Sequence, residues 1–521
     1  MLFNSYSFLF AFLPVVLAGT WLIARFSHRH TVHWLAAASV AFYAVWDVRF
    51  VVLLLGSAAF NYYAGQRLSH EKASGDAKQA RLTLGLAIAA NLAVLGYFKY
   101  VNFFIATVNG LGAHWGALNV ILPIGISFYT FTQIAYLVDI HRGNNPWEGR
   151  PATYLLFVSY FPHLVAGPLL HYKQVIPQFS QEGIFRPNLG NIAAGFGIFA
   201  VGLAKKVLIA DALADQANPV FDFARESATL GGGPLFFDAW IGALSYTLQL
   251  YFDFSGYSDM AIGLSLMLNV RLPLNFNSPY KAMSIIEFWR RWHMTLSAFL
   301  RDYLYIPLGG NRKGPVRRYV NLMITMLLGG LWHGAGWTFV IWGGLHGLYL
   351  SINHVWRSLV KPRRSGWIAV LCSGALTFLA VVVAWVFFRA DSLPAAKAVL
   401  AGMAGLNGAM APASLAAVAA KLHVPVTVGG LTALMPAGGS DALMQVVLAL
   451  AIAWLLPNTR EMFSSIKPTW DDLQEQRGRE HQTARWLAWR PTTAQALAFG
   501  ALLSVCVFSL SRLSPFLYFQ F

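Results

Sequence analysis

A chain of 521 residues with 57% hydrophobic and only 12% charged residues lies far from the roughly 25% charge of soluble domains, and excludes a soluble globular fold. Its mean hydropathy of +0.52 marks a polytopic membrane protein. The net charge of +16 does not imply nucleic-acid binding, because the basic residues occupy spaced juxtamembrane positions without any nucleic-acid motif; they match the preferences of anionic membrane lipids, and an anionic substrate stays open.

Apolar stretches able to cross a hydrocarbon core about 30 Å thick begin at Ser7 to Phe26 and recur near 33–47, 49–66, 82–98 and 117–140. They continue near 152–172, 191–214, 235–270, 317–334, 336–356, 366–388, 441–457 and 492–513. The expectation is an all-α architecture of about 11 to 13 transmembrane helices. Gly and Pro interrupt it at Phe161-Pro162, Gly167-Pro168 and Gly329-Gly330, where broken or re-entrant segments are tolerated against protein or a water-filled cavity.

Positive charge sets the orientation. The loops Arg25 to His30, Arg67 to Arg81, Arg312 to Arg318, Lys361 to Arg364 and Arg460 to Arg490 are predicted to be cytoplasmic. Both termini then lie outside, and the first span is a retained helix rather than a cleaved signal. The Ala- and Gly-rich loop at about 390–440 falls on the outer face. Residues 458–491 read as a solvated cytoplasmic loop with a short surface helix. No repeat or linker divides the chain, so residues 1–521 form one large domain. Cys372 and Cys506 offer neither a disulfide framework nor metal-ligand spacing, and no metal is expected.

Residues Ser284 to Arg318, SIIEFWRRWHMTLSAFLRDYLYIPLGGNRKGPVRR, carry a broad apolar stripe with dense Trp, Phe and Arg, as in a helix lying at the cytoplasmic interface. Either this is a structural anchor, or its basic surplus, including Arg290, Arg291, Arg301, Arg312 and Lys313, holds an anionic donor such as a nucleotide phosphate. The stretch also contains His293.

The run NLMITMLLGGLWHGAGWTFVIWGGLHG places His333 inside apolar sequence. Helical rise from Arg318 puts it roughly 22 Å into the membrane, beyond snorkelling range. An ionisable group at that depth marks a substrate path or proton relay, or else a neutral imidazole bonded to backbone. The flanking glycines, Trp332 and Trp337 suggest a tunnel lining or second shell. His346 is a second-shell partner or a structural residue. A neutral buried imidazole suits proton abstraction from an attacking hydroxyl, and acyl transfer from a thioester to an alcohol needs chiefly that base, oriented substrates and oxyanion donors.

The runs YFDFSGYSDMAIG (251–263), NFNSPY (275–280), EFWRRWHMTLSAFLRDYLYIPLGGNRKG (287–314) and LLGGLWHGAGWTFVIWGGLHG (327–347) resemble the membrane-bound O-acyltransferases, within them the bacterial alginate O-acetyltransferase membrane subunits. The likeness extends to LPIGISFYTF (122–131), YFPHLVAGPLL (160–170) and SPFLYFQF (514–521). It implies a catalytic core at about 120–350, with re-entrant and interfacial helices around a central funnel or tunnel. His333 takes the place of the family's essential intramembrane histidine, and His293 that of the second funnel histidine. The resemblance also implies acetyl-CoA as cytoplasmic donor, a bacterial inner-membrane location, and a periplasmic SGNH-type acetyltransferase or other polysaccharide-acetylation subunits as partners. Alginate is the expected polymer, with cellulose or another exopolysaccharide as alternatives. A transporter of a lipid-linked or polymer intermediate, and a secretion scaffold, are the competing classes.

Overall fold

The computed structural model describes residues 1–360, 366–410, 421, 430, 438–474, 487–510 and 516–517. The regular elements of the described residues are all helices, without strands, as a chain with no water to satisfy its backbone requires. In chain order the helices used below are α1 (Leu13–Ile23), α2 (His28–Ala44), α3 (Arg49–Ala73), α4 (Ala77–Leu95), α5 (Ile126–Arg142), α6 (Pro151–Ser159), α7 (Leu189–Ala204) and α8 (Asp211–Ser227). They continue as α9 (Phe236–Met267), α10 (Ile285–Trp289), α11 (Met294–Leu300), α12 (Pro315–His333), α13 (Trp337–Leu359), α14 (Trp367–Arg389), α15 (Leu393–Met403), α16 (Gly438–Leu455) and α17 (Thr493–Phe508). Among the described residues, three helical stretches, Ala77–Asn109, Leu189–Leu230 and Trp367–Arg389, are long and apolar enough to cross a membrane by length and composition. On α14 the exposed residues include Trp367, Leu371 and Leu376, an apolar surface suited to lipid.

The described chain divides into two compact units. The first comprises Met1–Leu203, Tyr257–Asn275 and the described residues from Thr459 on. Its helices are joined by polar pairs between apolar faces: Asn61 on α3 and Asn91 on α4 exchange side-chain hydrogen bonds of 3.0 and 2.7 Å, and Gln133 on α5 donates to Ser57 at 2.9 Å. Such bonds hold helices together where water exclusion gives no driving force. Lys72 at the end of α3 donates to the Ile140 carbonyl at the end of α5 (3.2 Å).

The second unit comprises Ala204–Gly256 and Phe276–Asn458. Its centre is the hairpin of α12 and α13. A methyl added at Gly343 would run into the Met326 carbonyl, and one at Gly330 into that of Phe339. The glycines therefore set the close approach of the two helices.

Several expectations require correction. The span near 117–140 is helical only from Ile126, and 152–172 is the short α6 followed by buried non-helical backbone around Phe161 and His163. That second break falls at the Pro and Gly positions read as interruptions. Gly329-Gly330, by contrast, does not interrupt α12, because close packing rather than bending uses those glycines. Residues 284–318 are not one interfacial helix. They form α10, a break, α11 and a π-turn at Arg301–Tyr305, and Phe288, Trp292 and Leu296 are buried in protein.

The loop read at 390–440 contains α15, whose Ala395, Ala396 and Val399 are buried. Most of its remainder lies outside the described residues. Within 458–491, Arg460 and Asp472 form a largely buried ion pair of 2.7 Å, so this part is packed rather than solvated; 475–486 lie outside the described residues, as do Lys361 to Arg364 and most of the final SPFLYFQF.

Candidate active site

Local backbone geometry delivers two imidazoles to one place in the second unit. The helix α12 ends at His333 because Gly334 adopts an extended conformation, and the chain re-enters helix after Gly336. The His333 side chain, 5% exposed, lies among rings: Trp332 at 4.9 Å between centroids, Trp342 at 5.0 Å and Phe388 at 5.2 Å. His293 enters through a different device. Its backbone is left-handed, with φ 43° and ψ 54°, at the break between α10 and α11. Non-glycine residues rarely occupy that region, at a cost of order 1–3 kcal/mol, and such strain concentrates at functional sites. The His293 ring is fully buried, edge-on to Phe254 at 4.8 Å and 6.3 Å from the His333 ring.

His346 completes the constellation from α13. The Trp289 indole N–H donates to its Nδ1 at 3.3 Å, so the neutral imidazole carries its proton on Nε2. Trp342 packs between His333 and His346, 4.9 Å from the latter. The Trp342 Nε1 and His346 Nε2 atoms are buried without a hydrogen-bond partner among the described residues. An unsatisfied buried donor costs about 1–3 kcal/mol, so these two N–H groups are available to an acceptor that enters the site.

His293, Trp332, His333 and His346 are thus gathered, whereas Trp337 is 53% exposed at the start of α13. The basic residues separate into two groups. Arg291 is held by Glu287 at 2.7 Å and Arg301 by Asp302 at 2.6 Å. Arg290, Arg312 and Lys313 are exposed and have no ion pair among the described residues.

In the 251–263 run, Asp253 pairs with Lys206 (2.7 Å). Tyr257 stacks on Phe3, and Asp259 accepts from Thr459 at 2.6 Å.

Trp342, Phe388 and the Lys206 cluster were not singled out from sequence. Lys206, 2% exposed, also pairs with Asp211 at 2.8 Å, and it follows α7 in a π-turn spanning Lys205–Ala210. Two lysines within the apolar run 191–214 were the available signal. Trp342 and Phe388 gave none, since aromatic residues at helical spacing are ordinary packing.

An all-helical membrane protein with a buried cage of neighbouring imidazoles and N–H donors has the parts of a membrane-embedded acyl-transfer enzyme. The model of the membrane-bound O-acyltransferase family matches residues 149–390, a segment that includes His293, His333 and His346. The chain is 44% identical to the peptidoglycan O-acetyltransferase of Helicobacter pylori, over 78% of this chain and 80% of that protein. It is 46% identical to the probable alginate O-acetylase AlgI of Pseudomonas aeruginosa, over 76% and 73%. A more distant relative is the teichoic acid D-alanyltransferase of Streptococcus thermophilus, 27% identical over 45% of this chain. The chain belongs to the membrane-bound O-acyltransferase family, and it is an acyltransferase.

Proposed function

We propose that this protein takes acetyl from acetyl-CoA at the cytoplasmic face of a bacterial inner membrane and passes it outward for O-acetylation of an exopolysaccharide, alginate first among the candidates. The observation that carries this reading is the His333 cage, and the relatives named as O-acetyltransferases support the acetyl group. His333 removes the proton of the acceptor hydroxyl, whose oxygen attacks the thioester carbonyl carbon. The tetrahedral adduct then expels CoA thiolate, which recovers the proton from the imidazolium. His293 assists in the same cage. The N–H groups of Trp342 and His346 are the candidate donors to the developing oxyanion, a role of high value in a buried site.

A single family-type domain over 1–521, cytoplasmic basic loops, both termini outside, and a periplasmic SGNH-type acetyltransferase that completes polymer modification belong to this reading. The relative that acts on peptidoglycan gives a second polymer to test.

The test is thiol release from acetyl-CoA by the purified protein beside His333→Ala of equal thermal stability. A loss of about 10²–10⁴-fold, the usual worth of a positioned base, is expected. Equal rates would remove His333 from the chemistry.

A further inference from the structure

Two guanidinium groups, Arg318 of α12 and Arg357 of α13, flank His354, the charge of Arg290 adds to theirs, and no carboxylate pairs with them among the described residues. The charges of Arg318, Arg357 and Arg290 all bear on His354. Arg318 sits in the first turn of α12, its N–H bonded to the Gly314 carbonyl at 3.2 Å, and its guanidinium donates to His354 Nδ1 at 2.6 Å. Arg357, one turn beyond His354 on α13, donates to Ser284 Oγ at 3.0 Å. Arg290 closes α10 as its C-cap. None of the three forms an ion pair with Asp or Glu among the described residues; nearby Glu287 is engaged by Arg291.

Such an arrangement is unfavourable without an anion, because like charges held together repel. Arg318 also fixes the tautomer of His354. With Nδ1 accepting, the neutral ring presents Nε2–H as a fourth donor. The N-terminus of α12 adds to the positive field. Pro315 occupies its first turn, and no side chain caps it, so its free N–H groups favour a negative ligand. Forked guanidinium donors match phosphate oxygens in pairs.

We propose that Arg290, Arg318, Arg357 and His354 hold the phosphates of a CoA-type acyl donor. This rests on the acetyl-CoA reading above and revises its phosphate contacts: Arg290 remains, while Arg291 and Arg301 are spent on Glu287 and Asp302. The position suits the chemistry. From His346 to His354 the helix rises about 12 Å, and Trp289, bonded to His346, directly precedes Arg290. A donor anchored at the cluster therefore needs an extended arm to bring its thioester to the cage, and CoA has one in its pantetheine. The phosphate of an anionic lipid shares the charge chemistry but has no thioester to deliver.

Equilibrium binding and turnover of two donors in phosphatidylcholine nanodiscs separate the cases. Acetyl-CoA carries the phosphates; acetyl-pantetheine does not. With Arg318→Gln and Arg357→Gln, the CoA Kd and the KM for acetyl-CoA should each rise tenfold or more, with kcat within twofold. Binding and turnover of acetyl-pantetheine should match the wild type. Equal losses with both donors would mean a structural role and overturn the proposal. So would unchanged CoA binding in variants that lose stabilisation by phosphatidylglycerol, since the phosphate held would then be a lipid's. Cluster-dependent CoA binding without wild-type turnover would sustain this site while rejecting the reaction; absence of CoA binding by the wild type would reject both.

Discussion

His293 is held in a left-handed backbone conformation that only a few side chains accept, and its ring reaches the candidate base. Asn tolerates that conformation better than most residues, whereas β-branched side chains do not. His293→Asn should therefore keep a thermal midpoint near that of the wild type while losing at least tenfold in turnover, and His293→Val should unfold several degrees earlier, consistent with about 1–3 kcal/mol of added strain. Melting curves and initial rates on both variants check this. Full activity in the Asn variant would reduce His293 to a packing residue. His333 was legible in the sequence because an ionisable group in apolar sequence needs a reason. Trp342 was not, because nothing in a one-dimensional pattern distinguishes a ring that touches two imidazoles from one that fills a gap.

The hairpin of α12 and α13 positions His333, and its glycines permit the approach. Gly343→Ala forces a methyl against the Met326 carbonyl, so we expect a destabilisation of about 1–3 kcal/mol, read by thermal unfolding, with a fall in activity as the cage loosens. Unchanged stability would show that the helices separate freely. The π-turn after α7 presents Lys206 to two carboxylates. Removing its charge alone in Lys206→Met should cost about 3–5 kcal/mol by leaving buried carboxylates uncompensated. Neutralising Asp211 and Asp253 together with Lys206 should recover much of that loss, and a triple variant no more stable than Lys206→Met would contradict this account. Helices such as α3, α12, α13, α14 and α17 were readable from hydropathy, since helix and apolar run coincide. The break at His293 and the buried non-helical stretch after α6 were less so: a broken element in protein surroundings carries the same apolar composition as a helix facing lipid.

At the level of the whole molecule, the family and its acyl-transfer chemistry were accessible because motifs spread along nearly all of the chain point one way. The Arg318–His354–Arg357 cluster was not, as Arg318 comes from α12 while His354 and Arg357 share α13, and they join only in the fold. The central claim is that one buried imidazole serves acyl transfer across the membrane. Its most direct test uses sealed proteoliposomes with wild type and His333→Ala in matched orientation, radiolabelled acetyl-CoA supplied on the side of the basic loops, and acetyl groups measured on an acceptor polysaccharide, with its SGNH-type partner, on the other. The account predicts label across the membrane with the wild type and at least a hundredfold less with the variant. Equal label with both proteins would contradict it.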